Sequence, residues 1–174
     1  MRGLIKFDDS YFDKYKDKKV RILPFSDKQT IVANKIIAKV KEQLAEFEVE
    51  YAVRGSTSFK ISGKGEVEIG VYPKPVDWKN VLNKLEHFYG PMEQEEENYA
   101  RVNSMMDDVE IEIIILKEHE AIVDINLHKF LINHPDLLKE YEQLKIDNCF
   151  SKKQYMIAKN KFLSEVVESI PEDY

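Results

Sequence analysis

A chain of 174 residues, 43% hydrophobic and 33% charged, is long enough to bury one sizeable core and too apolar to stay disordered. Its 26 basic and 32 acidic side chains leave a net charge of −6, which argues against non-specific binding to nucleic acid or to an anionic membrane. The one cysteine, Cys149, can form no internal disulfide, the N-terminus is charged, and the longest apolar run is 113–116. The expectation is a single domain over 1–174 in a reducing cytoplasm, with neither a leader nor a membrane span.

Residues 1–19 mix Phe7, Tyr11, Phe12 and Tyr15 with charges and read as a short helix or an irregular arm. Residues 20–25 form a short strand candidate containing Pro24, and Ser26 or Asp27 can cap the helix that follows. That helix spans 28–47 and carries Ile31, Ile36, Ile37, Val40 and Leu44 at helical spacing. Residues 48–53 alternate as a strand and run directly into Arg54-Gly55-Ser56-Thr57-Ser58. A second alternating strand covers 66–72, and Pro73 and Pro75 end it. A helix over 76–88 follows, packing Trp78, Val81, Leu82 and Leu85, until Gly90-Pro91 stops it. Residues 93–97 read as a solvated acidic loop. Tyr99–Met106 and Val109–Leu116 read as a hairpin with an acidic turn. Residues 121–130 fit both a strand and a helical face. Pro135 and Asp136 suit the first turn of a helix to Lys145, and a last helix covers Lys152–Ser169. This order predicts an α+β fold, a small mixed sheet with helices packed against it and a helical C-terminal portion.

The densest chemical signal lies between Tyr51 and Ile69. Gly55 allows a backbone to approach a phosphate closely, and the Ser56 and Ser58 hydroxyls can hold its oxygens. Glu66 and Glu68, two apart on a strand, project to one face and suit a divalent cation that also binds nucleotide phosphates. A third carboxylate from a neighbouring strand would complete a site for in-line phosphoryl displacement; Glu110 and Glu112 are both available. The competing reading is a plain turn followed by a solvated, acid-bearing strand. Tyr155 and Lys159, four apart on the last helix, can reach a phosphate or simply pack. His87, His119 and His128 have no ligand spacing, and His134 before Pro135 reads as a helix-start residue with a local hydrogen bond.

An ordered set of short motifs then carries a resemblance. Leu23-Pro24-Phe25-Ser26-Asp27 comes first, then Gly55-Ser56-Thr57-Ser58, with Lys64 before the acidic strand. Later come Leu131-Ile132-Asn133-His134-Pro135, Tyr141-Glu142-Gln143-Leu144-Lys145, and Tyr155 to Phe162 with Lys159. From about residue 20 to 167 this resembles the GrpB-like family of nucleotidyltransferase-fold proteins. The resemblance implies a nucleotidyltransferase-like core over 20–117, C-terminal helices over 118–174, and a helix rather than a strand at 121–130. It implies Mg²⁺-dependent transfer of a nucleotidyl group from a nucleoside triphosphate to an acceptor it does not identify. Glu66, Glu68 and Glu112 would be the metal-binding and catalytic carboxylates, while Asp124 falls on a helix. Gly55, Ser56, Ser58, Lys64, Tyr155 and Lys159 would bind the substrate. Lys60-Ile61-Ser62-Gly63 departs from the family's Pro-Gly loop and leaves two registers, one pairing Glu68 with Gly70 and one pairing Glu66 with Glu68. The first loses a ligand and implies the alternative, a catalytically degenerate nucleotide-binding or protein-interaction module of the same fold.

Overall fold

The computed structural model describes residues 7–15, 18–171 and 174. The chain divides into two compact units, one of Phe25–Lys60 and Gly65–Ile122, the other of residues up to Pro24, Ile61–Lys64 and Val123–Tyr174.

The first unit begins with α1, Asp27–Gln43. Its start is a capping box: the Ser26 hydroxyl accepts from the Lys28 N–H at 3.3 Å, and the Gln29 side chain accepts from the Ser26 N–H at 2.9 Å. In chain order there follow β1 (Val49–Arg54), α2 (Gly55–Phe59), β2 (Val67–Pro73), α3 (Trp78–Tyr89), β3 (Gln94–Glu95), β4 (Tyr99–Met106) and β5 (Val109–Leu116). The strands form one mixed sheet of five, ordered β1-β2-β5-β4-β3. β2 and β5 run parallel, and the other neighbours are antiparallel. The β4–β5 turn places Asp107 at φ 50° and Asp108 at φ 60°, the doubly left-handed conformation whose twist suits a tight hairpin.

Alternation separates the strands into two faces. Val67, Ile69, Val71, Ile111, Ile113 and Ile115 point to one face and pack with Ile36 and Val40 of α1 and Val81 and Leu85 of α3. Each fully buried side chain of this kind contributes roughly 1.5–3 kcal/mol. The opposite face carries the polar residues Arg54, Glu68, Tyr72, Arg101 and Glu112.

The second unit contains a 3-10 helix (Asp9–Lys14), the later part of α4 (Glu118–Ile132), α5 (Pro135–Asp147) and α6 (Lys152–Ser169). The 3-10 helix is tied to α6 by an ion pair between Lys153 and Asp13 at 2.6 Å. Segment 61–64 is fastened through both polar backbone groups of Ser62. Glu142 accepts from the Ser62 N–H at 2.6 Å, and the ammonium of Lys145, a side chain only 1% exposed, donates to the Ser62 carbonyl. The bond from Ser62 holds the Glu142 carboxyl below the usual range. Lys145 also lies over the ring of Tyr141, which stacks on Phe162 at 5.5 Å.

Several expectations need correction. Residues 20–25 are not a strand: Val20 donates to the Cys149 carbonyl, and Leu23 makes a single bridge to Gly63. Pro24 supplies no N–H to extend that bridge. α1 with its C-cap buries Ile36, Val40 and Leu44 of the predicted stripe and packs Ile37 against the core, but turns Val32 and Ala33 inward in place of Ile31, which is 55% exposed. Within the supposed acidic loop, Gln94 and Glu95 pair with Arg101 and Ala100, since an edge strand can turn its charges to solvent. The Gly-Ser-Thr-Ser stretch is one helical turn, α2. Residues 121–130 are helical, as the resemblance implied. Of the predicted N-terminal arm, 1–6 and 16–17 lie outside the described residues. Among the described residues no helix is long and apolar enough to cross a membrane.

Candidate functional site

Strand register brings the acidic residues together. Arg54 of β1 stands opposite Glu68 of β2, and Glu68 stands beside Glu112 of the parallel neighbour β5. All three therefore share the polar face. Glu66 lies just before β2, where its carbonyl accepts from the buried Thr57 hydroxyl at 3.2 Å, fastening α2 to the start of the strand. One carboxylate oxygen from each of Glu66, Glu68 and Glu112 lies within 4.8 Å of the others. Among the described residues this is the one group of three His, Cys, Asp or Glu side chains close enough to share a metal ion. Glu110 is exposed and does not join it.

Two glycines explain the arrangement. Gly55 sits at φ +60°, and a Cβ there would stand 2.7 Å from Oε2 of Glu68. The Glu68 carboxylate thus occupies the space a larger residue would fill. At Gly70 a Cβ would collide with the Tyr72 hydroxyl and lie 2.8 Å from Cδ of Arg54. Gly70 consequently offers room for Arg54 and Tyr72 rather than a ligand. Of the two registers, the carboxylates brought beside Glu112 are those of Glu66 and Glu68.

Three carboxylates this close repel one another by about 3 kcal/mol per pair at an effective dielectric of ~20. Cationic side chains offset part of that. Nη1 of Arg101 stands 3.9 Å from Oε1 of Glu112, both side chains being partly exposed. Tyr99, on the same face as Arg101, is buried, and burial pushes its phenol up to about 12. Arg101 and Arg54 oppose that shift, while Glu112 and Glu68 reinforce it, which places both pairs within electrostatic reach of one phenol. Arg54, Arg101 and Tyr99 were missed by the sequence reading. The available signal was an arginine spaced two from Tyr99 in a strand otherwise rich in apolar residues.

The remaining candidates fall in different places. Ser56 and Ser58 lie in α2, half-buried. Lys64 is exposed and belongs with segment 61–64 to the second unit. Tyr155 and Lys159 are on α6 of that unit, Tyr155 buried and Lys159 half-buried. Asp124 is buried on α4. His134 makes a local contact, its Nδ1 2.6 Å from the Phe130 carbonyl and its ring stacked on Phe130. As a donor set, Glu66, Glu68 and Glu112 offer hard carboxylate oxygens, with Glu68 seated against Gly55, and so fit a hard divalent cation such as Mg²⁺.

No family model matches the chain, and no curated protein matches it. Solved structures do. The Cid1 poly(U) polymerase, in a structure with Mg and 3′-dATP bound, is 12% identical with a TM-score of 0.50, over 78% of this chain and 42% of that one. The STING-associated CdnE c-di-GMP synthase from Capnocytophaga granulosa is 18% identical with a TM-score of 0.46, over 79% of this chain and 62% of that one. The CdnE cyclic dinucleotide synthase of Elizabethkingia meningoseptica, solved with GTP and Apcpp, is 12% identical with a TM-score of 0.43, over 86% and 77%. The chain therefore spans less than half the length of the poly(U) polymerase. The likeness to that polymerase is one of fold: a mixed sheet flanked by helices in the nucleotidyltransferase-like α+β arrangement.

Proposed function

We propose that the chain is a metal-dependent nucleotidyltransferase, passing a nucleotidyl group from a nucleoside triphosphate to an acceptor hydroxyl with release of pyrophosphate. The observation that carries this reading is the convergence of Glu66, Glu68 and Glu112 beside Gly55 on a nucleotidyltransferase-like fold. These carboxylates would hold Mg²⁺, whose chemistry when bound is to neutralise charge on the α-phosphate under attack. The chain's own residues position the reactants. The Gly55 backbone and the hydroxyls of Ser56 and Ser58 hold phosphate oxygens. The family resemblance adds Lys64, Lys159 and the Tyr155 hydroxyl as further donors. The ordered motifs described above support a finer kinship with the GrpB-like family.

The test is a melting curve and a direct binding titration with Mg²⁺ and a panel of nucleoside triphosphates, on the unsubstituted chain and on Glu68→Gln. A ligand at 100 times its Kd stabilises the fold by about 2.7 kcal/mol. Glu68→Gln keeps the side-chain shape and removes one charge, so it should abolish the Mg²⁺-dependent part of that gain at little cost in stability. If the unsubstituted chain responds to no triphosphate with or without Mg²⁺, the reading falls, and a protein-interaction module of the same fold replaces it.

A further inference from the structure

Arg101 is held rigidly at its backbone and loosely at its side chain. Its position in β4 is paired on one side with Gln94 of β3 and on the other with Ile114 of β5. Its carbonyl also accepts from the Glu93 N–H at 2.8 Å. The guanidinium is less well served. The 3.9 Å separation from Glu112 is an ion pair too long for a hydrogen bond. Nε of Arg101 is buried and has no hydrogen-bond partner among the described residues. A buried donor without an acceptor is costly, and a planar guanidinium fork is shaped to take two oxygens of a carboxylate or phosphate at once. Glu112 takes it with neither. Yet the side chain remains 28% exposed beside a Glu112 side chain 20% exposed, so a ligand can reach both.

We propose that Arg101 is a polyphosphate-anchoring residue, and that a divalent cation and the Arg101 guanidinium compete for Glu112. The inference rests on the metal-dependent reading and adds to it a coupling between two ligands. A bare cation sharing Glu112 with Glu66 and Glu68 meets a positive guanidinium close by, which weakens it. A polyphosphate arriving with the cation gives the guanidinium its own bidentate partner, and the repulsion becomes attraction between Arg101 and the phosphate. The site then favours the metal–polyphosphate complex over the bare metal. Tyr99, within electrostatic reach of Arg54, Arg101, Glu68 and Glu112, marks the same meeting of opposite charges on this face.

The experiment measures protein-bound Mn²⁺ by equilibrium dialysis, with Mn²⁺ alone and with its inorganic tripolyphosphate complex. The proteins are the unsubstituted 174-residue chain, Arg101→Gln, Arg101→Lys and Glu112→Gln, each checked by melting temperature. Arg101→Gln should bind Mn²⁺ alone as tightly as the unsubstituted chain or about 3-fold more tightly, and bind Mn·tripolyphosphate about 10-fold or more weakly. Arg101→Lys, keeping the charge without the fork, should recover part of that loss. The proposal is overturned if Arg101→Gln binds Mn·tripolyphosphate like the unsubstituted chain. It is overturned equally if Arg101→Gln loses Mn²⁺ alone as Glu112→Gln does, because Arg101 would then merely support Glu112. No Mn²⁺ binding by the unsubstituted chain would remove the metal-dependent reading itself and this coupling with it.

Discussion

Replacing Gly55 with alanine separates backbone strain from ligand geometry. At φ +60° an alanine costs about 1–2 kcal/mol relative to glycine. The new methyl would stand 2.7 Å from Oε2 and 2.9 Å from Cδ of Glu68. Ordinary contacts between such atoms lie near ~3.5 Å, so the carboxylate must retreat by roughly 0.7 Å. Being the end of a flexible side chain, it can do so at small cost in stability. A cation cannot follow as easily, because Mg²⁺ demands near-ideal oxygen distances of about 2.0–2.1 Å. Gly55→Ala should therefore lower the melting temperature by about 2–8 °C, at ~2–4 °C per kcal/mol for a chain of this size. It should weaken Mn²⁺ binding by about 10-fold, worth ~1.4 kcal/mol. Gly90→Ala is the control, since Gly90 has φ +94° but its added Cβ would meet nothing within 4 Å. That variant should melt earlier too, yet bind Mn²⁺ normally. Calorimetric melting and Mn²⁺ titration of both proteins decide the matter. Unaltered Mn²⁺ affinity in Gly55→Ala would refute Glu68 as a ligand held by this cradle, and equal losses in both variants would reduce the effect to general destabilisation.

Lys145→Met removes the ammonium from the Ser62 carbonyl while keeping most of the side-chain volume, and should cost about 1–3 kcal/mol in denaturant titration. Tyr99 predicts an alkaline limit: its folded phenol is raised to about 12 against an unfolded value near 10, so its stability contribution is complete below pH ~10 and is lost as pH rises towards 12. For a phenol raised that far, the full loss is about 3 kcal/mol. Tyr99→Phe should make the pH 10–12 slope of unfolding free energy shallower but leave a remainder from Tyr89, which burial also raises to about 12.

Local information carried most of the elements. The capping box at Ser26, Pro135 at a first helical turn and the alternation in 66–72 and 109–116 each act within a few residues, and each is visible in sequence. The pairing of Glu66 with Glu68 belongs to the same class, because two-residue spacing alone puts strand side chains on one face. What spacing left open was which of Glu110 and Glu112 meets that pair. The parallel register of β2 against β5 decides it, aligning Glu68 with Glu112. The roles of the two glycines are also tertiary, since only the folded chain lays Glu68 against Gly55 and Arg54 across Gly70. β3 escaped notice because two residues carry no periodicity and pair only once β4 is in place. Arg101 escaped for the same physical reason: its nearness to Glu112 depends on hydrogen bonds between β4 and β5, and no pattern within β4 encodes the partner. The sequence by itself determined most of the elements and the candidate carboxylates; long-range strand register, set by burial of the apolar face, determined which of them meet.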